Sequence, residues 1–366
     1  MDHVQTVVVG AGVIGLSIAR HLATHGHEVL ILEAEAAIGQ HTSSRNSQVI
    51  HAGIYYPKGS DQHRLCLTGK AMLYDYCATR HVGHQKCGKL TIAPSKDRLD
   101  ELAALTERGR QNGLEDLVIL SQGELSEREP AVAGVAAMLS PSSGIVDAPG
   151  LVLSLLGEAE AAGASLALNA RLTRVWRGPA GFCLETRDQA YQLSCTNLIN
   201  AAALGSWDVA RAIEGLDPTT IPERNLAKGS YFSIPGKSPF HALIYPMPET
   251  GSLGIHSVQD LGGGIRFGPN MDWVDQIDYS VNPALASQFA ASIRRYWPDL
   301  PDNSLTPDGA GIRPRIWGPG QPKQEFLFQT EADHGMPNLI QLFGFESPGL
   351  TSCLAIGRAV GAMLDG

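Results

Sequence analysis

The chain opens with a strand, a glycine turn, a helix and a second strand, and this unit constrains the fold more than any other part of the sequence. Residues 7–9 are valines, typical of a buried parallel strand, and Gly10, Gly12 and Gly15 follow in the spacing G-x-G-x-x-G. Apolar residues at helical spacing come next, and a second apolar run ends at Glu33. This order predicts a Rossmann-like unit that binds a dinucleotide.

Each part of the motif has a physical role in holding a dinucleotide. The first glycine allows a tight turn, the second lets the backbone approach a pyrophosphate, and the third lets helix and strand pack closely. The helix N-terminus attracts phosphate, and a carboxylate at Glu33 suits ribose hydroxyls rather than a 2′-phosphate. The motif does not separate NAD from FAD, although an N-terminal position followed by an unusual loop favours FAD. The predicted contacts here are Gly10, Gly12, Val13, Ile14, Gly15, Glu33 and Ala34.

Composition excludes several other classes of protein. The 366 residues suffice for two domains, and 43% hydrophobic with 18% charged residues is ordinary for a globular chain. The net charge of −9 comes without a Lys/Arg-rich run, so no nucleic-acid partner is expected. The six cysteines lack metal-ligand spacing, so reduced thiols and no metal are expected. The first apolar run is broken by glycines, so we expect no signal peptide, no membrane span and a cytoplasmic protein.

The rest of the chain predicts an α/β fold of two interleaved domains. Buried strands and helices that extend the first sheet alternate with short, aromatic, alternating segments typical of an antiparallel sheet. We therefore predict a Rossmann-like FAD-binding domain from residues 1–85, 141–225 and 307–366. A smaller α+β substrate domain with an antiparallel sheet would comprise residues 86–140 and 226–306.

Three loops follow predicted parallel strands and should converge on one site, since ligands bind at the carboxyl edge of such sheets. They are residues 41–57, 200–206 and 344–352. The first, "HTSSRNSQVIHAGIYYP", is unusual because small polar residues lead directly into an apolar run around His51.

Several motifs together resemble the FAD-dependent oxidoreductases typified by D-amino acid oxidase, nearly end to end. They are "VIHAGIYY", "CGKL", "PSSGIVD", "LIYPMP", "GPN" and "SPGLTS". Within that family they look most like the L-2-hydroxyglutarate dehydrogenase group. The resemblance implies FAD, an L-2-hydroxy acid substrate and a 2-oxo acid product. Two departures are Ala203, where related sequences usually have glycine, and a shorter chain between "GPN" and "GIRPR".

The resemblance also implies how the loops would hold a non-covalent flavin. The small residues of the first loop would approach the diphosphate and ring, and the start of the last helix would present N–H groups to the pyrimidine carbonyl. The further predicted cofactor contacts are Thr42, Ser43, Ser44, Asn46, Ser47, Leu172, Ala201, Ala202, Gly205, Arg313, Gly344, Ser347, Gly349, Leu350 and Thr351.

Oxidation of a 2-hydroxy acid needs a base for the hydroxyl proton and a cation for the carboxylate. The candidates are His51 and His256 as bases, Arg313 as the carboxylate ligand, and Tyr245 in the pocket, with Lys228 as a weaker candidate. His51 could instead be a core histidine or a covalent flavin attachment point. His256 could instead bind the carboxylate or be exposed. We expect Arg315 to face away from Arg313.

Three functions remain open from the sequence. The first is oxidation of a small L-2-hydroxy acid resembling 2-hydroxyglutarate. The second is an FAD-dependent amine or amino-acid oxidase of the glycine or sarcosine oxidase type, and the third is a non-catalytic dinucleotide-binding protein. The electron acceptor would be oxygen or a quinone, the latter with a peripheral place at a membrane. The oligomeric state is not determined by the sequence.

Overall fold

The computed structural model describes residues 2–187, 191–247 and 254–365. Its α-helices are α1 (Val13–Thr24), α2 (Asp61–Thr79), α3 (Leu99–Gln111), α4 (Gln122–Arg128), α5 (Ala148–Ala161), α6 (Ser206–Arg211), α7 (Ala286–Arg294), α8 (Glu331–His334) and α9 (Gly349–Asp365).

Its strands are β1 (Asp2–Val9), β2 (Val29–Leu32), β3 (Val49–Ile50), β4 (His84–Gln85), β5 (Lys89–Ala93), β6 (Val118–Ser121), β7 (Ala136–Ser140), β8 (Gly144–Val146), β9 (Ser165–Ala167), β10 (Leu172–Gly178), β11 (Gly181–Thr186), β12 (Gln192–Asn200), β13 (Asn225–Ile234), β14 (Leu243–Pro246), β15 (Ser257–Gln259), β16 (Ile265–Phe267), β17 (Asp272–Val274), β18 (Thr306–Arg315), β19 (Leu327–Gln329) and β20 (Leu339–Phe343).

The largest sheet has the order β10-β11-β12-β1-β2-β9, with β20 paired to β12 and β19 paired to β20. The strands β9, β2, β1, β12 and β20 run parallel. Alternate residues of β1 enter different cores, because successive strand side chains point to opposite faces. Val8 packs with α1, α5 and α9, whereas Val7 and Val9 pack in a cluster with Trp207 and Phe343. The α/β class predicted from the sequence is confirmed by this topology.

A second region combines two smaller sheets with α7. The five-stranded sheet has the order β15-β16-β13-β17, with β18 also paired to β13, and each pairing is antiparallel. The four-stranded sheet has the order β14-β5-β7-β6. Phe232, Phe267, Phe289 and Leu90 share the apolar core between these elements. Pro248, the last residue of the "LIYPMP" motif, lies outside the described residues.

The pairing of β18 with β13 concerns one of the predicted domain boundaries. The boundaries themselves remain a prediction. The boundary at residue 307 assigns nearly all of β18 to the dinucleotide-binding domain. In the structure β18 pairs along β13, from Asn225 opposite Arg315 to Ser233 opposite Thr306. The backbone of β18 therefore belongs to the five-stranded sheet. Its arginines, Arg313 and Arg315, lie where this sheet meets the dinucleotide-binding region.

Within the described residues, no helix combines the length and apolar character needed to cross a bilayer. In the same part of the chain, no three His, Cys, Asp or Glu side chains are grouped as metal ligands would be. The six cysteines form no disulfide in the structure, and five of them are buried. The carboxyl ends of the parallel strands meet at one edge, so the segments after β1, β2, β12 and β20 lie together there.

Candidate active site

A cleft of about 1020 Å³ runs along this carboxyl edge. Its walls come from the start of α1, the segment from Thr42 to His51, parts of β13 and β18, and the segment from Leu342 to Leu350. The three loops that the sequence predicted to converge therefore all contribute to one cleft.

The glycine turn after β1 is too crowded for side chains at two positions. Gly10 has a positive φ of 105°, and an added Cβ would lie 2.7 Å from the Ala201 carbonyl oxygen. A Cβ on Gly15 would lie 1.9 Å from the Gly10 carbonyl oxygen. At Gly12, in contrast, a Cβ would meet only the Ser43 hydroxyl, at 3.0 Å. Gly10 and Gly15 thus serve the packing, whereas Gly12 keeps the floor of the cleft open.

Glu33 lies at the end of β2, directly beside the glycine turn. Its carboxylate accepts hydrogen bonds from the backbone N–H of Ala11 at 2.7 Å and of Glu35 at 2.9 Å. The carboxylate is thereby held at the carboxyl edge of the sheet, where the sequence motif places a ribose ligand. Ala34, predicted beside it, does not line the cleft.

The segment after His41 is held in shape by its own polar side chains. The Asn46 amide donates to the carbonyls of Thr42 and Ser43 at 3.0 and 2.7 Å, and its oxygen accepts from the Gln48 N–H at 2.7 Å. The Ser43 hydroxyl accepts from the Val13 N–H at 2.9 Å, at the N-terminus of α1. These bonds fix a polar wall against the helix end that would receive a phosphate.

Not every predicted cofactor contact reaches the cleft. The Ser44 hydroxyl donates to the His41 carbonyl at 3.2 Å and is exposed on the outer side of the segment. Leu172 packs into the core behind the large sheet. Thr351 is buried and bonds the backbone around His51. These three residues do not line the cleft, and neither do Ala202, Gly205 and Gly344. The predicted cofactor contacts that do line it are Gly12, Val13, Ile14, Thr42, Ser43, Asn46, Ser47, Ala201, Arg313, Ser347, Gly349 and Leu350.

Ala203, the position where the resembling sequences have glycine, has a φ of 52° and lines the cleft. A side chain in the left-handed region costs about 1–2 kcal/mol relative to ordinary conformations. The turn at this position would suit glycine, and this chain holds an alanine in it.

The N-terminus of α9 also reaches the cleft, through Ser347, Gly349 and Leu350. One predicted contact needs correction here. The Gly349 N–H already donates to the Glu346 carbonyl oxygen at 2.6 Å, so it is not available to a ligand. The cause is the tight turn that starts the helix. The positive end of the helix dipole still points at the cleft, where it would stabilise negative charge.

His51 is the candidate base that the structure places in the cleft wall. Its Nε2 lies 3.1 Å from the Ser347 hydroxyl, and its backbone N–H donates to Thr351 Oγ1 at 3.0 Å. Burial, helped by the nearby charges of Lys89 and Lys323, lowers the pKa of the His51 imidazole to about 3. The imidazole is therefore neutral at physiological pH and has one nitrogen free to accept a proton.

His256 and Tyr245 lie behind this wall rather than in the cleft lining. Their rings stack with centroids 3.9 Å apart, and both residues are buried. The His256 Nδ1 lies 3.4 Å from the Gly254 carbonyl oxygen. Burial is the main cause that lowers the pKa of His256 to about 3, and burial also raises the pKa of Tyr245. The expectation of an exposed strand histidine is wrong, because β14 covers its ring.

The two arginines of β18 share one partner, and the expectation that they face opposite sides is wrong. Arg315 forms a two-pronged ion pair with Glu346, with Nε–Oε1 and Nη2–Oε2 distances of 2.9 and 3.2 Å. Arg313 Nε lies 3.5 Å from the same carboxylate. Residues two apart on a strand point to the same face, so both guanidiniums reach Glu346. Arg313 lines the cleft and Arg315 lies buried behind it.

The same alternation of side chains shows that the prediction of Lys228 as a pocket residue is wrong. Its ammonium donates to Asp278 at 2.9 Å, on the face of β13 opposite the cleft. Its neighbours Gly229 and Tyr231 line the cleft instead. Arg45 is another lining residue that the sequence reasoning missed, with its guanidinium 4.0 Å from the centre of the Tyr279 ring. A period of two from Lys228 leads to the other face of β13, so Tyr231 could be found only from the folded strand.

These features fit a dinucleotide. The start of α1 is open at Gly12, where only the Ser43 hydroxyl stands near the position of a side chain. An acid is held at the end of β2, and a second helix N-terminus faces the other end of the cleft. Gly12 and Ser43 would hold the phosphates, Glu33 the ribose, and Ser347 and Leu350 the ring.

Comparisons with known proteins agree with this geometry. The family model described as FAD dependent oxidoreductase matches residues 5–363. The chain is 39% identical to the mitochondrial L-2-hydroxyglutarate dehydrogenase of Arabidopsis thaliana, over 98% of this chain and 83% of that protein. It is 29% identical to the L-2-hydroxyglutarate dehydrogenase of Escherichia coli strain K12, over 97% of this chain and 91% of that protein.

Solved structures show the same fold. An L-alpha-glycerophosphate oxidase from Mycoplasma pneumoniae with FAD bound has a TM-score of 0.89 at 24% identity, covering 100% of this chain and 96% of that one. A glycine oxidase from Geobacillus kaustophilus has a TM-score of 0.83 at 20% identity, covering 100% and 95%.

Proposed function

The chain belongs to the family of FAD-dependent oxidoreductases, and on that premise we propose that it oxidises L-2-hydroxyglutarate to 2-oxoglutarate. The observation that carries the proposal is the presence of a neutral imidazole, His51, and a guanidinium, Arg313, in one cleft. The substrate is taken from the relatives named L-2-hydroxyglutarate dehydrogenase, which match almost the whole chain.

The roles of the residues follow from their charges. Because Arg315 engages Glu346 through two hydrogen bonds, the carboxylate is largely neutralised and Arg313 keeps its positive charge for a ligand. A guanidinium binds a carboxylate through two parallel hydrogen bonds, which would fix the orientation of the hydroxyl-bearing carbon. His51 would accept the hydroxyl proton when the substrate carboxylate, bound in the same cleft, raises the low pKa of its imidazole.

The cofactor supplies one part of the chemistry: FAD, when bound, accepts the hydride from the substrate carbon. The protein does the rest, since Arg313 orients the acid and His51 holds the released proton. Ser347 fixes the His51 ring through the 3.1 Å contact at Nε2. The N-terminus of α9 would stabilise negative charge at the end of the cleft that it faces.

The test is a substrate panel on purified protein that carries FAD, under anaerobic conditions. L-2-hydroxyglutarate should bleach the flavin absorbance, whereas D-2-hydroxyglutarate, glycine, sarcosine and sn-glycerol 3-phosphate should leave it unchanged. Bleaching by glycine or sarcosine alone would make the chain an amine oxidase. Protein that fails to bind FAD would contradict the enzymatic function altogether.

The electron acceptor is tested separately. Because the curated relatives are named dehydrogenases, we propose a quinone-type acceptor rather than oxygen. With L-2-hydroxyglutarate present, reduction of a quinone analogue should be much faster than oxygen consumption. The opposite order of rates would make the protein an oxidase.

A further inference from the structure

Lys89, the first residue of β5, is a buried lysine outside the roles given above. Its side chain is 1% exposed, and its ammonium lies 4.6 Å from the centre of the Tyr55 ring and 4.9 Å from that of Tyr245. Among the described residues Lys89 forms no salt bridge with any carboxylate. A buried ammonium is costly unless it is paired, and two ring faces compensate only part of that cost.

The sheet directs Lys89 away from the apolar core and toward two tyrosines. Leu90 and Ile92 of β5 enter the apolar core, so the alternate residues Lys89 and Thr91 point to the opposite face. β14 runs parallel to β5, with Tyr245 opposite Thr91. Across this face Tyr55, from the segment after His51, approaches to within 3.4 Å of the Thr91 hydroxyl.

A second unsatisfied group lies beside the ammonium. The Tyr245 hydroxyl is buried and has no hydrogen-bond partner among the described residues. Buried polar groups in native structures normally have partners, so an unpaired one calls for an explanation such as a ligand. Within the described part of the chain, the Lys89 ammonium and the Tyr245 hydroxyl can both donate, and neither has an acceptor.

This cluster lies near the catalytic candidates. The Tyr245 ring stacks on His256 at 3.9 Å. The charge of Lys89 contributes to the lowered pKa of both His51 and His256, and the charge of Arg313 also acts on His256. Lys89 and Arg313 are therefore two separate positive charges that both act on His256.

We propose that Lys89, assisted by the Tyr245 hydroxyl, binds the second carboxylate of a dicarboxylate substrate whose first carboxylate is held by Arg313. The inference rests on the proposed function and names the feature that would select a dicarboxylate over a simple 2-hydroxy acid. L-2-hydroxyglutarate has the required chemistry, because it carries two carboxylates, separated by three carbon atoms. The hydroxyl-bearing carbon would then be held at both ends.

The experiment compares Lys89→Met with the unaltered protein on two substrates of equal chain length. L-2-hydroxyglutarate has the second carboxylate and L-2-hydroxypentanoate lacks it. Methionine keeps the length and apolar character of the stem and removes the charge. We expect the ratio of kcat/KM for L-2-hydroxyglutarate to that for L-2-hydroxypentanoate to fall about 30-fold to several-thousand-fold, since any effect of the lost charge on His51 is common to both substrates. Lys89→Arg should recover part of the loss, since it restores the charge.

Two further variants make the comparison specific. Tyr245→Phe removes only the hydroxyl, and it should lower kcat/KM for the dicarboxylate several-fold while sparing the monocarboxylate. Lys86→Met is the matched control, because Lys86 is an exposed lysine 5.8 Å from the Tyr74 ring. It should change neither substrate. Equal losses on both substrates in Lys89→Met would overturn the inference.

A binding measurement separates this inference from the proposed function. Glutarate and pentanoate lack the reacting hydroxyl, and their dissociation constants can be read from the flavin absorbance of the FAD-loaded protein. The unaltered protein should prefer glutarate, and Lys89→Met should lose that preference even if L-2-hydroxyglutarate proves not to be oxidised. Retention of the preference in Lys89→Met would contradict the role of Lys89, whatever the substrate is.

Discussion

At the scale of single residues, the site depends on how charges are distributed among Arg313, Arg315 and Glu346. Arg315 is 9% exposed and carries the two-pronged bond to Glu346, and its guanidinium also lies 4.2 Å from the Trp317 ring. Arg313 has only the 3.5 Å contact. The arginine that faces the cleft is thus held less tightly by Glu346 than the one behind it.

Arg315→Ala should therefore impair both stability and substrate binding. Loss of one partner of a buried ion pair typically costs about 3–5 kcal/mol. Glu346 would then draw in Arg313, so KM for the acid substrate should rise. Urea unfolding and steady-state kinetics measure the two effects. Arg174→Ala, in an exposed pair with Glu214, is the control and should change little. An Arg315→Ala protein with normal KM would contradict the shared-partner arrangement.

Ala203 provides a second prediction at this scale. Its φ of 52° suits glycine, and the gain from relieving strain exceeds the entropy that glycine adds to the unfolded chain. Ala203→Gly should stabilise the protein by about 0.5–1 kcal/mol in urea unfolding. Ala202→Gly, at an ordinary φ of −77°, should destabilise it by a similar amount. Destabilisation by both substitutions would show that the strain is not relieved.

At the scale of elements, different glycines of the turn between β1 and α1 serve packing and ligand binding. A Cβ at Gly15 overlaps the Gly10 carbonyl, whereas a Cβ at Gly12 meets a single hydroxyl at the edge of the cleft. A side chain at Gly15 would therefore disturb the packing of α1 against β1. A side chain at Gly12 would instead disturb the surface that faces the ligand.

Gly12→Ala and Gly15→Ala should consequently fail in different ways. Gly12→Ala should lower the affinity for FAD at least tenfold and leave the unfolding of the FAD-free protein nearly unchanged. Gly15→Ala should destabilise the FAD-free protein itself by several kcal/mol, because backbone must move. FAD titration and urea unfolding without FAD distinguish them. Gly157→Ala on the exposed face of α5 is the control, expected to stabilise slightly. Identical behaviour of Gly12→Ala and Gly15→Ala would contradict this separation.

At the scale of the whole molecule, the cleft and the cluster beyond it exclude water from two histidines. Burial lowers the pKa of His51 and of His256 to about 3. An unfolded chain binds protons at these residues near pH 6.5, whereas the folded protein does not. Between about pH 6.5 and pH 3 the unfolded state therefore holds more protons, and stability falls as pH falls.

His256→Phe isolates this effect, because phenylalanine can still stack on Tyr245 but does not titrate. Each such histidine contributes a slope of about 1.4 kcal/mol per pH unit below pH 6.5. The variant should therefore lose stability less steeply than the unaltered protein between pH 6.5 and pH 5. Urea unfolding at several pH values, with one fixed FAD concentration, measures the slopes. Parallel slopes would show that His256 titrates normally in the folded protein.

The sequence by itself determined the cofactor half of this protein. The glycine turn, the helix after it and Glu33 lie within a few dozen consecutive residues, and their spacing alone requires a particular local geometry. The α/β class followed for the same reason, since buried parallel strands are continuous apolar runs. His51 and Arg313 could be proposed because the family resemblance implied a hydroxy acid, whose oxidation needs a base and a cation for the carboxylate.

The tertiary structure decided which groups surround the candidate catalytic residues. Glu346 reaches both arginines only because the segment after β20 lies against β18, and Lys89 reaches Tyr245 only because β5 pairs with β14. Burial likewise decided the charge of the two histidines. Each of these contacts joins segments far apart in the chain, and local pattern carries no information on which distant segments share a boundary. The substrate half of the site could therefore be read only from the folded molecule.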